Sequence, residues 1–133
     1  MQDRPTYNEL LDAVRSFLES DVVPALEGTK KFHARVAANV LAIVMREREL
    51  EAAHLTDEWQ RLDTLLGAEP MPSSLDAAKD ALNARTERLC ERIRGGDADA
   101  DPFRGAVLAH VRQTVIEKLA IDNPKLVASE VSR

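Results

Sequence analysis

The sequence has few of the residues that mark disulfide-rich or aromatic-cored proteins. Of its 133 residues, one is cysteine, five are glycine, and aromatic residues make up 4%. The single cysteine, Cys90, excludes an internal disulfide and a cysteine-rich metal centre. With so few aromatic side chains, the core has to be built from Leu, Val, Ile and Ala, a mixture that favours helices over sheets.

Long apolar runs and an excess of positive charge are also missing. The longest uncharged apolar run, residues 36–45, is far shorter than the ~20 residues of a membrane-spanning helix. The formal net charge of −5 argues against a nucleic-acid-binding protein, which usually carries a basic face. The opening MQDRPTYNE lacks the basic and then apolar pattern of a signal peptide. We therefore expect a cytoplasmic protein with no membrane span and no nucleic-acid partner.

Hydrophobic periodicity predicts helices and no strands. Thr6-Tyr7-Asn8-Glu9 fits a capping box, so the first helix is expected to start at Thr6. Pro24 predicts that this helix ends or kinks near Val22, and Thr29 is predicted to cap the second.

Glycine and proline residues also predict the later loops and helix ends. GAEPMPSS at 67–74 and GGDADAD at 95–101 are predicted to be loops, and Asn123-Pro124 is predicted to stop the last helix. Whether residues 55–66 form a short third helix capped by Thr56 or continue the second stays open. The inner face of the last helix is expected to carry six apolar residues: Phe103, Val107, Leu108, Val111, Val115 and Leu119.

The stretch FHARVAANVLAIVMRERE, residues 32–49, is the most apolar of the chain. Phe32, Val36 and Val40 begin one broad face, and the alanines at 34, 38 and 42 form a second stripe. This pattern predicts a helix packed on two sides. The expected fold is therefore an all-α, up-and-down bundle of four to five helices with a central helix at about 30–50. We expect one domain, residues 1–133, with a loose tail after about 125.

Polar residues within that helix are the best candidates for binding a ligand or a partner. Arg35, Asn39 and Arg46 share one strip, where two guanidinium groups can grip a carboxylate or phosphate. His33 lies near them in the sequence and can act as a ligand or a base. The competing interpretation, which we favour, is that these groups pair with neighbouring helices and hold the central helix in place.

Other candidates for chemistry are weaker. Glu51-Ala52-Ala53-His54 is half of a di-iron carboxylate motif, but His33 and His110 lack the matching carboxylate, so no metal or other cofactor is expected. Cys90 has no histidine nearby in the sequence to activate it. Lys118 faces the apolar side of the last helix, where it either extends to solvent or pairs with an acid.

Three stretches resemble a known family. RPTYNELLDAVRSFLESDVVPALEG with KFHARVAANVLAIVMRE, and later VIEKLAIDNPK, resemble an uncharacterised bacterial family of small helical proteins over about residues 4–125. Members are encoded beside, or fused to, phosphotransferases of the aminoglycoside- or choline-kinase type and acyl-CoA dehydrogenases. The resemblance implies an accessory role and carries over no catalytic residues.

The functional expectation follows from the absence of a catalytic constellation together with this resemblance. We expect a non-catalytic accessory protein that binds a phosphotransferase-like or acyl-CoA-dehydrogenase-like partner or forms a homodimer. The alternatives are a protein that binds an acyl or phosphorylated small molecule through His33, Arg35, Asn39 and Arg46, and a metal-dependent helical-bundle enzyme using Glu51 and His54.

Overall fold

A computed structural model describes residues 3–131, with the backbone alone for 130 and 131. The predicted all-α helical bundle is confirmed, and no strand occurs within this range. The elements are α1 (Tyr7–Phe17), a π-helical segment (Leu18–Val22), α2 (Val23–Ala25), α3 (Gly28–Leu66), α4 (Leu75–Arg94), α5 (Phe103–Asp122) and α6 (Pro124–Val131). Among the residues described, none of these helices combines the length and apolar character needed to cross a membrane.

The helix termini follow the sequence signals closely. Thr6 and Glu9 form the predicted capping box, with the Glu9 carboxylate accepting the Thr6 N–H at 2.6 Å. Ser74 caps α4 by accepting the N–H of Ala77, and Gly95 is the C-cap of the same helix. Asp101 accepts the backbone N–H of Gly105 at 3.0 Å in the first turn of α5. Local capping chemistry therefore accounts for the start of α1 and both ends of α4, whereas the N-cap of α5 is Pro102, with no side-chain capping bond.

Three helix boundaries were left open or misplaced by the sequence patterns. Pro24 was predicted to end or kink the first helix near Val22; a π-helical segment ends there, and the chain continues as α2. The predicted cap Thr29 was wrong, because α3 begins at Gly28 and Thr29 lies within it. The open alternative at residue 56 is resolved in favour of continuation: α3 runs unbroken to Leu66, and the Thr56 hydroxyl donates to the Ala52 carbonyl within it. Residues 124–131 form α6, and the looseness expected of this tail stays a prediction.

The chain divides into two compact units, Met1–Glu49 and Leu50–Arg133. In the first unit, the face of α3 that begins with Phe32, Val36 and Val40 was expected to be buried, and this was wrong. Phe32 is 62% exposed, whereas Ala34 and Ala38 of the alanine stripe are buried. The alanines lie inside because small side chains allow close packing, while the large apolar side chains remain on the surface.

The second unit has a compact core shared by α3, α4 and α5. Leu62, Leu65, Leu89 and Val107 are buried together, with Leu66, Leu82 and Phe103 packed against them. Trp59 is buried beside this core and donates its indole N–H to the Glu69 carbonyl at 3.0 Å, which fixes the loop after α3. The core consists mainly of leucine and valine, as the composition predicts.

Arg85 is the most buried charged side chain of this unit, at 1% exposed. Its guanidinium group lies over the Trp59 ring at 4.5 Å and donates to Asp63 Oδ1 and to the Gly67 carbonyl, each at 2.8 Å. The bonds to Asp63 and Gly67, with the stacking on Trp59, offset the cost of burying the charge. Arg85 therefore joins α4 to the C-terminal end of α3 and its following loop.

Arg85→Ala should destabilise the protein by roughly 3 kcal/mol, because Asp63 and the Gly67 carbonyl lose a buried partner. Arg88→Ala on the same helix is the matched control. Arg88 pairs with Glu69 at the surface, so its loss should cost less than about 1 kcal/mol. Urea unfolding followed by circular dichroism measures both values, and equal effects would contradict this role for Arg85.

Candidate functional site

Ionisable side chains of α3 and α5 meet in the second unit. Arg61 of α3 donates two hydrogen bonds to the carboxylate of Glu117 on α5, at 2.7 and 2.8 Å. Gln113 donates a third at 3.2 Å, and Arg61 also reaches the Thr114 hydroxyl at 3.3 Å. Glu117 is only 7% exposed, so this is a bidentate ion pair at a buried carboxylate.

The pair turns the polar side of α5 inward. The buried residues of α5 are Val107, His110 and Glu117, whereas Leu108 is 62% exposed. The predicted apolar inner face was therefore wrong for Leu108, Val111 and Val115, all of which are exposed. At ~100° per residue, Val107, His110 and Glu117 share a face displaced from the one expected.

His110 is the most unusual group of the site. Its side chain is 5% exposed, and its Nδ1 has no hydrogen-bond partner among the residues described. Burial lowers the pKa of His110, the charge of Arg61 lowers it further, and Glu117 acts in the opposite direction. His110 is therefore expected to be neutral at neutral pH, with one buried ring nitrogen available.

Two carboxylates near Arg61 have opposite pKa shifts. Burial raises the pKa of Glu58, although the charges of Lys118 and Arg61 act to lower it. Burial also favours a higher pKa at Glu117, but hydrogen bonds from Arg61 and Gln113 hold it below its ordinary value. Glu117 is therefore held as a carboxylate, while Glu58 binds protons more readily than a free glutamate does.

An open cleft of about 380 Å³ lies beside this group, between α3, α4 and α5. Its lining combines apolar side chains with polar ones, and His110 contributes to it. The lining residues are Glu58, Leu82, Asn83, Thr86, Leu89, Cys90, Ile93, His110, Val111, Thr114, Val115 and Lys118. The volume is at the lower end of the range for small-molecule sites.

The four residues predicted to bind a ligand or partner lie elsewhere, on α3 in the first unit. His33, Arg35 and Asn39 are exposed, and Arg46 is partly buried. At ~100° per residue, Asn39 and Arg46 lie within about 40° of Arg35, but His33 lies about 160° away. The helix thus brings three of the four to one strip and places His33 on another side, against the ring of Phe32 at 5.7 Å.

The favoured interpretation, that these residues hold the helix to its neighbours, has no support at two of them. Arg35 and Asn39 are exposed and have no hydrogen bond to any of the residues described. Their role in binding a ligand or partner stays a prediction.

Glu51 and His54, the half-motif of a di-iron site, interact with other side chains of the second unit. Glu51 pairs with Lys79 of α4, and His54 lies close enough to Glu117 for its charge to lower the pKa of that carboxyl. Among the side chains described, no group of three His, Cys, Asp or Glu residues is arranged to hold a metal ion.

Sequence reasoning missed Glu58, weighed His110 only as a metal ligand, and considered Cys90 and Lys118 singly. A signal for His110 was present, since it shares a helical face with Val107, Thr114 and Glu117. The partner that buries this face, Arg61, is 56 positions away from Glu117, so local periodicity could not identify it.

The fold and this cleft define a small all-α protein with a polar cluster enclosed by helices. The chain belongs to the DUF6285 family, a domain of unknown function, whose model matches residues 24–126. The expected membership of an uncharacterised family is thereby confirmed, although the match starts later than the resemblance at residue 4. No curated protein and no solved structure matches the chain.

Replacing His110 should reduce the loss of stability that acid causes. Because the pKa of His110 is lowered by folding, its stabilising contribution is complete above the ordinary histidine pKa of about 6.5 and is lost as the pH falls below it. His110→Gln, which cannot titrate, should therefore lose less unfolding free energy between pH 7 and pH 5 than the unchanged protein. Urea unfolding across this range measures the difference.

The comparison isolates His110 from the two carboxylates. The lowered pKa of Glu117 costs stability only as the pH falls through and below about 4.5, and the raised pKa of Glu58 costs stability as the pH rises above that value. Both carboxylates remain in the variant, so their contributions cancel when the two proteins are compared. His33→Gln, at an exposed position of α3, is the matched control. It should lose as much unfolding free energy between pH 7 and pH 5 as the unchanged protein. An unchanged acid loss in His110→Gln would contradict the assignment.

Proposed function

We propose that the protein is a non-catalytic accessory protein that docks onto a partner through the apolar surface of its first unit. The supporting observation is α1, an 11-residue helix in which no residue is buried. The π-helical segment and α2 extend this helical region to Ala25, and most of the stability of such a helix comes from packing of its apolar face. Local support comes from the capping box and from Arg15 pairing with Asp12 and Glu19, and the Arg48 guanidinium group of α3 lies over the Tyr7 ring at 4.6 Å.

Two rows of large apolar side chains remain exposed in this unit. The α1 stripe consists of Tyr7, Leu10, Val14 and Phe17, and the α3 stripe consists of Phe32, Val36 and Val40; all are between 42% and 72% exposed. Both follow helical spacing, so each forms a continuous ridge along its helix.

The exposed area is large for a surface without a partner. A large apolar side chain has on the order of 150–200 Å² of surface, so the two stripes together expose on the order of 600 Å². Summed over both stripes, this area is comparable with the largest apolar patches of monomeric proteins, about 300–600 Å², and approaches the roughly 800 Å² that one partner of a standard interface contributes. A docking role accounts for this exposure, whereas a self-contained enzyme gives no reason for it.

The resemblance suggests which partner to test. The family that the sequence resembles is bacterial, and its genes adjoin those of kinase-like phosphotransferases and acyl-CoA dehydrogenases. We infer that the partner is one of these two enzymes, with a homodimer as the other arrangement that covers the stripes. The protein would then act in the cytoplasm as a subunit that positions or stabilises the enzyme.

Binding of an acyl or phosphorylated small molecule is the second candidate. The exposed strip of Arg35 and Asn39 favours it, because an exposed guanidinium group beside an amide on one side of a helix suits an anion. Arg35→Ala should then abolish any rise in melting temperature caused by acyl-CoA or a sugar phosphate. If neither ligand raises the melting temperature of the unchanged protein, this candidate fails.

The docking proposal predicts that Phe17→Ser with Phe32→Ser weakens binding to the partner about tenfold or more, because apolar anchors dominate interface energies. The fold should persist, since both side chains are already exposed. Calorimetric titration against the purified phosphotransferase and the purified dehydrogenase measures the affinity, and sedimentation measures self-association.

Leu108→Ser is the matched control, since Leu108 has the same 62% exposure as Phe32 but lies in the second unit. It should leave binding unchanged. A chain that stays monomeric and binds neither enzyme would contradict the proposal, as would a Leu108→Ser variant that loses binding when the two phenylalanine changes do not.

A further inference from the structure

The cleft between α3, α4 and α5 has the concave shape and mixed lining of a small-molecule site. Apolar side chains line its walls, while Glu58, His110, Thr114 and Lys118 provide polar groups. Ligand sites typically combine a mostly apolar lining with a few polar groups that fix orientation. The cleft and the docking stripes are on different units, so the two functions are independent.

His110 gives an independent sign that something polar belongs there. It is 95% buried, lines the cleft, and leaves Nδ1 without a partner among the residues described. Leaving a buried polar atom unpaired costs about 1–3 kcal/mol, so such atoms usually have a partner when the protein is functioning. Because His110 lines the cleft, a ligand there lies beside a side chain that retains an unused hydrogen-bonding atom.

The charges of the cleft select the kind of ligand. Its formally charged side chains are one acid, Glu58, and one base, Lys118, which attract each other. His110 is neutral at neutral pH for the reasons given above. An ionic head group of either sign would meet one like charge, whereas a neutral group that donates and accepts hydrogen bonds would meet none.

We propose that this cleft binds an uncharged amphipathic small molecule, with its apolar part against Leu89, Val111 and Val115 and a neutral polar group, such as an amide or alcohol, beside Glu58, His110 and Thr114. The volume of about 380 Å³ admits a compact ligand rather than a nucleotide cofactor.

Cys90, the only cysteine, lines the same cleft and supplies a direct readout. A ligand in the cleft shields its thiol, so the alkylation rate by iodoacetamide falls in proportion to occupancy. The test uses three probes with the same six-carbon chain: hexanamide, hexanoate and hexylamine. They differ mainly in head-group charge, so their ranking separates recognition of a neutral group from simple apolar binding.

We expect hexanamide to slow Cys90 alkylation about tenfold at ten times its Kd, with the two ionic probes much weaker at the same concentration. Val111→Trp fills the cleft and should remove this protection. Leu108 is also exposed, lies about one helical turn before Val111, and does not line the cleft, so Leu108→Trp should keep the protection. Each variant is compared with and without probe, so shielding by the tryptophan itself cancels.

Three outcomes would overturn the inference: no protection by any probe, equal protection by an ionic probe, or protection that survives Val111→Trp. Because the readout concerns the second unit alone, none of them bears on the docking of the first unit.

Discussion

The ion pair of Arg61 and Glu117 determines how the second unit is built. It joins α3 to α5 through two hydrogen bonds of 2.7 and 2.8 Å at a carboxylate that is only 7% exposed. A helix held at this point has one rotation about its axis. The polar side of α5, with His110, faces inward, and Leu108, Val111 and Val115 face out. The open cleft and its buried histidine follow from this rotation.

The same constraint explains why sequence patterns located the helices but not their buried faces. Caps and loops depend on neighbouring residues, so the Thr6 cap and the loops at 67–74 and 95–101 could be assigned locally. Burial depends on what packs against a helix. On α5, apolar periodicity predicted that Leu108 would be buried. Instead the Glu117 carboxylate is buried, because the guanidinium group of Arg61, far away in sequence, binds it.

The buried face of α3 was also mispredicted from the sequence. On α3, two stripes competed for burial, and the alanine stripe lies inside while Phe32 lies outside. Hydrophobicity alone ranks phenylalanine above alanine for burial, so the composition of the two stripes could not predict which of them lies inside. Among the candidate residues, the exposed strip of Arg35 and Asn39 was recognisable from spacing. The cleft was not, since Glu58, Cys90 and His110 come from three separate helices.

The account thus rests on exposed apolar stripes in one unit, which we propose to dock a partner, and on an open cleft in the other, which we propose to bind a small molecule. The most direct test of the account is a double-mutant cycle on Arg61→Met and Glu117→Gln, measured by urea unfolding. If the pair joins α3 to α5, the two changes should be coupled by about 2 kcal/mol or more. Effects that add to within about 0.5 kcal/mol would show that α5 is held by other contacts, and would contradict the account.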